Sequence, residues 1–146
     1  MRVIFPILFI LLISACKVGD DDPSLTFRSR KARLVNKWIL VRYTIAGKEQ
    51  KNDSWSQKLE FHKEGRFNFS NIDTRNGSST YDKGTWDFTL AFKEYKDNEC
   101  VSLYSSENYF STQFAIIELR NKKLRLKNII VNNQIEPHKE WEYKQE

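Results

Sequence analysis

The chain has 146 residues, of which 40% are hydrophobic and 14% aromatic. That is enough apolar surface to bury a core in one domain of ordinary size, and it excludes disorder along the whole length. Five Gly and three Pro exclude a collagenous or low-complexity chain, and the formal charge of +5 favours anionic partners only at low salt.

The amino terminus carries the sharpest signal. Met1 and Arg2 form a short positive start, Val3 to Ile13 is almost wholly apolar, and the small residues Ser14 and Ala15 precede Cys16. This apolar run falls short of the roughly 20 residues that a membrane-spanning helix needs, so it reads as the core of a signal peptide. The stretch Leu12-Ile13-Ser14-Ala15-Cys16 resembles the bacterial lipobox. Small residues there fit the scissile bond into the peptidase, and the cysteine thiol is the nucleophile that accepts diacylglycerol. The resemblance implies a signal peptide over residues 1–15, lipid attachment at Cys16 and anchoring to a membrane through acyl chains such as palmitate, without a membrane span. One acyl chain binds only marginally, at about 0.8 kcal/mol per buried CH₂, whereas several on one residue hold durably.

Residues 16–31 read as the lipidated cysteine and a flexible tether. Asp20, Asp21 and Asp22 make the tether acidic before it turns Ser/Thr/Arg-rich. These acids resemble the export signal of surface lipoproteins in Bacteroidetes-type bacteria. Two addresses stay open: the periplasmic face of the outer membrane and the cell surface. Lys17, where Asp would favour inner-membrane retention, removes one reason to stay behind. Loss of Arg2 lowers the charge to about +4, and setting aside one base (Lys17) and three acids leaves about +6 on the remainder.

Residues 32–146 read as one all-β domain. Arg28 to Leu34 predicts a single helical turn whose basic residues are solvated, with no aromatic platform for nucleic acid. From Trp38 the rhythm changes to period two, and Trp38 to Ile45 predicts a strand that ends at Gly47. Leu59 and Phe61 alternate with Glu60 and His62, Lys63-Glu64-Gly65-Arg66 supplies a turn, and Phe67 and Phe69 resume the alternation, which predicts a hairpin. Asn71 to Ser79 reads as a polar loop. Trp86, Phe88, Leu90 and Phe92 predict the next strand, followed by Val101 to Ser105 and by Phe110 to Leu119. Asn121 to Lys123 makes a turn, Leu124 and Leu126 lie on a strand, and Trp141 and Tyr143 form the last. About eight short strands with no long helix predict an antiparallel barrel or sandwich, and a closed barrel also removes exposed edges.

Leu34-Val35-Asn36-Lys37-Trp38-Ile39-Leu40, Leu59 to Phe67 and Gly84-Thr85-Trp86, with Leu119, Leu124-Arg125-Leu126 and Trp141 behind them, resemble the lipocalin-like lipoprotein domains of Bacteroidetes. The likeness spans residues 32–144. Asn36 stands where the family's Gly-x-Trp has Gly, and Asn tolerates positive φ better than most residues. The resemblance implies an antiparallel eight-stranded lipocalin-like barrel and assigns no activity.

The residues carry little chemistry. Glu60, His62 and Glu64 would share one face of an uninterrupted strand, but that is the face opposite Leu59 and Phe61, so a solvated polar surface is expected rather than a metal site. Cys100 beside Val101 reads as a small buried hydrophobe, and acylation of Cys16 leaves it without a disulfide partner. No catalytic residues, cofactor or phosphate loop are read, and an enzyme is not expected. Lys123, Arg125 and Lys127 predict an outward basic stripe, a solvated face with the alternative of contact to a lipid headgroup or polysaccharide. Trp38, Phe61, Phe67, Phe69, Trp86, Phe88 and Trp141 point inward if the alternation holds, and they are the candidate lining of a ligand cavity. Two functions follow. One is a membrane-tethered, non-enzymatic module that holds a small apolar ligand. The other is a cell-envelope accessory protein whose solid barrel docks a protein or polysaccharide partner on its outer surface.

Overall fold

A computed structural model of the protein describes residues 29–51, 53–89, 99–107, 111–129 and 138–146. Cys16, the segment before it, most of the tether, and Leu90, Phe92 and Phe110 lie outside the described residues. One short helix, α1 (Arg30–Leu34), precedes nine strands: β1 (Lys37–Ile45), β2 (Lys48–Glu49), β3 (Trp55–Phe61), β4 (Arg66–Asp73), β5 (Ser79–Thr89), β6 (Cys100–Ser105), β7 (Ser111–Leu119), β8 (Lys123–Asn128) and β9 (Lys139–Gln145). Apart from the two-residue β2, each strand pairs antiparallel with its sequence neighbours, and β9 returns to β1 from Trp38↔Gln145 to Ile45↔Lys139. The sheet thus closes into an antiparallel eight-stranded barrel, which decides between the barrel and the sandwich that the residue rhythm left open and agrees with the lipocalin-like barrel that the resemblance implied. The added β2 pairs only with the end of β1, at Thr44 and Ile45.

The hairpins form where the turn chemistry directs them. Gly65 and Gly47 take positive φ, 76° and 77°, which Gly adopts without steric penalty. Asn36 does not use the left-handed freedom available to it: among the described non-Gly residues only Ala46 has positive φ. Instead Asn36 acts as a bracket. Its carbonyl accepts from Phe61 N–H at 3.0 Å and its Oδ1 from Gln145 Nε2 at 3.0 Å. Two strand boundaries differ from expectation. β4 runs on to Asp73 and β5 begins at Ser79, so the polar loop shrinks to a turn at 74–78. Polar side chains there pair through the backbone ladder, which hydrophobic alternation does not report.

Inward positions run through the register. Phe61 faces Phe67, Phe67 faces Gly84, Trp86 faces Leu103, and Leu126 faces Trp141. Register shifts between Leu40 and Arg42 and between Ile116 and Glu118 reset the parity, so Tyr43 and Leu119 also join the core. One end of the barrel is closed by its own residues. Leu34 from α1 and Trp38 are fully buried, and the Trp38 indole N–H donates to the Leu34 carbonyl at 2.9 Å, satisfying a helix-terminal acceptor. Trp86 packs edge-on against Phe61 with ring centres 5.3 Å apart, donates to the His62 carbonyl at 3.1 Å, and carries Lys31 Nζ 5.3 Å from its ring centre. Arg33 Nη1 donates to the Leu119 carbonyl at 3.2 Å, which ties α1 across this base.

Candidate functional site

Above that base the barrel is not filled. A cavity of about 350 Å³ lies within it, inside the range of small-molecule sites. Its wall is mostly apolar: Phe67 and Phe69 of β4, Leu103 of β6, Phe114 of β7, Leu126 of β8 and Trp141 of β9. Trp141 is held on two sides, stacked on Tyr43 with ring centres 5.4 Å apart and edge-on to Phe114 at 5.4 Å. Such aromatic pairs fix ring orientation beyond what area burial supplies.

Polar groups interrupt this wall in a few places. Gln57 on β3 donates from Nε2 to the Tyr143 hydroxyl at 2.7 Å, and both side chains are buried. Burial pushes the Tyr143 phenol well above its ordinary value, against the smaller opposing effect of the Gln57 bond. Asn71, opposite Gln57 in the register, has a buried Oδ1 with no hydrogen-bond partner. Asp82 on β5 is the one carboxylate on the described lining, which includes no lysine, arginine or histidine. It is 9% exposed. Its Oδ1 accepts from Ser105 Oγ at 2.7 Å and from Lys83 N–H at 2.8 Å, while Oδ2 accepts no bond from the described residues.

Of the seven aromatic residues expected to line a cavity, Phe67, Phe69 and Trp141 border it. Trp38, Phe61 and Trp86 do not. They point inward, but α1 caps their end of the barrel and packs them into a solid base. Phe88 lies further along β5 and meets Trp86 edge-on at 5.8 Å. Residues missed by the sequence reading are Gln57, Asp82, Leu103 and Phe114. A usable signal existed for Asp82: the parity of Phe88 and Trp86, carried back through Gly84, puts it on the inner face.

Elsewhere the surface formed by the described residues is chemically quiet. Lys123, Arg125 and Lys127 do point outward, but acids on the flanking strands answer them. Glu118 meets Arg120 at 2.8 Å and Lys123 at 3.4 Å, Glu142 meets Lys123 at 3.3 Å, and Glu140 meets Arg125 at 3.2 Å and Lys127 at 3.8 Å. The stripe is therefore a mixed-charge ladder rather than a basic patch. A larger outer depression of about 490 Å³, which Asp82 also borders, holds its lysines in Lys37–Glu60, Lys58–Glu146 and Lys83–Glu107 pairs. His62 Nε2 lies 3.0 Å from Asn68 Nδ2 and 3.7 Å from Glu60 Oε2. Among the described residues no group of three His, Cys, Asp or Glu could hold a metal ion. Cys100 is fully buried beside Ala115 and Ile129, and desolvation pushes its thiol up, away from the reactive thiolate. A scan against protein-family models finds no match, and a search of curated proteins finds no relative.

Proposed function

We infer that the chain is a lipid-anchored, non-enzymatic binding module, a lipocalin-like lipoprotein whose barrel holds a small molecule with an apolar body. The observation that carries this reading is the cavity of about 350 Å³, walled by aromatic rings above a solid base. A solid barrel serving only as a docking scaffold would have packed that space with side chains, because native interiors tolerate few voids larger than a water molecule. By the liquid volume of water, roughly 30 Å³ per molecule, the space suits a ligand of about ten non-hydrogen atoms. The described lining offers one carboxylate and no histidine, lysine or cysteine to work with it as a base or nucleophile, which supports binding over catalysis.

The membrane attachment belongs to Cys16, and the outer wall of the barrel supports that division of labour. Ion pairs on β7, β8 and β9 and on β1, β3 and β5 suit water, and charges on the outer face of a barrel are costly at the level of acyl chains. The tether would hold the module at the outer membrane, on its periplasmic face or at the cell surface.

Native mass spectrometry of the full chain, extracted from its own membrane in mild detergent, tests the binding reading. A reproducible one-to-one adduct of a small molecule is expected. Repeated absence of added mass, with no uptake of a neutral aromatic probe, would overturn it. In the same extract the intact mass should carry the acyl chains, and Cys16→Ala should release the protein into the soluble fraction.

A further inference from the structure

The cavity reading leaves open what chemistry its occupant bears, and Asp82 answers that. We propose that the barrel selects an organic cation: an apolar, ring-sized body carrying an ammonium group that pairs with the Asp82 carboxylate. The inference rests on the binding reading above and goes one step further, from shape to charge.

Four observations converge. Asp82 is nine-tenths buried and lines the cavity. Its two hydrogen bonds both fall on Oδ1, so among the described residues Oδ2 keeps its full acceptor capacity. The described lining contains no base to neutralise it, and the lysines of the outer depression that Asp82 also borders pair instead with Glu60, Glu146 and Glu107. A buried carboxylate without a counter-charge is expensive unless a partner arrives. Finally, Phe69 is the direct cross-strand partner of Asp82, and Phe67, Phe114 and Trp141 complete the aromatic wall. Aromatic faces attract ammonium groups through the ring quadrupole, so charge and walls favour the same ligand. The same arrangement repels carboxylates, so fatty acids are disfavoured despite the apolar lining.

The test uses three probes with one body and three heads: phenylbutylamine, phenylbutanol and phenylbutanoate, titrated calorimetrically into the full chain in mild detergent against detergent blanks. The amine should bind about tenfold or more tighter than the alcohol, because a charge-assisted hydrogen bond is about twice as strong as a neutral one. The carboxylate should bind weakest. Asp82→Asn keeps an oxygen for Ser105 and should bring the amine down to the affinity of the alcohol, while the alcohol changes by less than about threefold. If the three probes bind the wild-type chain equally, or the carboxylate binds tightest, the Asp82 inference falls and the apolar-cavity reading stands. That comparison needs no variant. If none of the three binds, both fall together.

Discussion

Replacing Gly84 by alanine is a one-methyl change with a large expected effect. Gly84 sits on an inward position of β5, opposite Phe67 on β4 and Ser105 on β6. Its φ is not positive, so conformation is not the obstacle; space is. A Cβ there would lie 1.9 Å from the Tyr104 carbonyl oxygen, 2.9 Å from the Tyr104 carbonyl carbon and 3.0 Å from Phe67 Cε1. Two of those atoms are backbone of the next strand, so no rotamer change relieves the clash, and β5 must move away from β6. Overpacking of this kind costs about 1–3 kcal/mol, and each ladder hydrogen bond broken by the displacement adds about 1 kcal/mol. The expected loss is about 3–4 kcal/mol out of a typical total of 5–15 kcal/mol. With a urea slope of about 2 kcal/mol/M, the unfolding midpoint should fall by about 1.5–2 M, read by tryptophan fluorescence and far-ultraviolet circular dichroism. Gly77→Ala is the control, because nothing lies within 4 Å of its Cβ and only its φ of +71° is strained; its expected cost is about 1 kcal/mol. A Gly84→Ala midpoint no lower than that of the control would refute the reasoning.

Trp38→Phe should lose about 2–3 kcal/mol, since it leaves the buried Leu34 carbonyl without the 2.9 Å indole bond and opens a gap under α1; thermal denaturation reads it. Tyr143→Phe strands the buried Gln57 amide and should cost about 1–3 kcal/mol, whereas Tyr143→Phe with Gln57→Leu should recover most of that loss in a double-mutant cycle. The same phenol sets an alkaline limit. Its folded value is raised above the unfolded 10.0, so the unfolded chain releases its proton first and stability should decline as pH climbs past about 10. Spectrophotometric titration should accordingly show Tyr143 ionising only together with unfolding. Cys100 should resist iodoacetamide in the native state and react in step with urea unfolding, because burial suppresses its thiolate.

The barrel was legible in the sequence because its closing residues obey period two: Leu59 and Phe61, Phe67 and Phe69, Leu124 and Leu126, and Trp141 and Tyr143 all face inward as the alternation requires. Three features escaped that reading for physical reasons. The register shifts after Leu40 and Ile116 reset the parity, so Tyr43 entered the core where simple alternation would have placed Arg42. The outer half of β5, from Ser79 to Lys83, is polar, and its pairing with β4 rests on backbone bonds that leave no hydrophobic trace. Division of the aromatics between base and cavity depended on α1, five residues long, whose docking of Leu34 beneath Trp38 is a tertiary event. Asp82 therefore passed unnoticed, a carboxylate between the polar loop read at Asn71 to Ser79 and the strand read from Trp86. The outward basic stripe was placed correctly and valued incompletely, since its partners Glu118, Glu140 and Glu142 lie on other strands.

Everything functional depends on the space above the base being open to a guest. Fluorescence titration with 1-naphthylamine, a neutral probe of the size the cavity suits, reads it directly, because Trp141 borders that space and would transfer excitation to a bound probe. Saturable one-to-one uptake with quenching of Trp141 is expected in the wild-type chain. Thr112→Trp, which sets a large ring into the cavity from β7, should abolish uptake while cooperative unfolding persists. Equal uptake by the filled variant, or no saturable uptake by the wild type, would contradict a ligand-holding barrel.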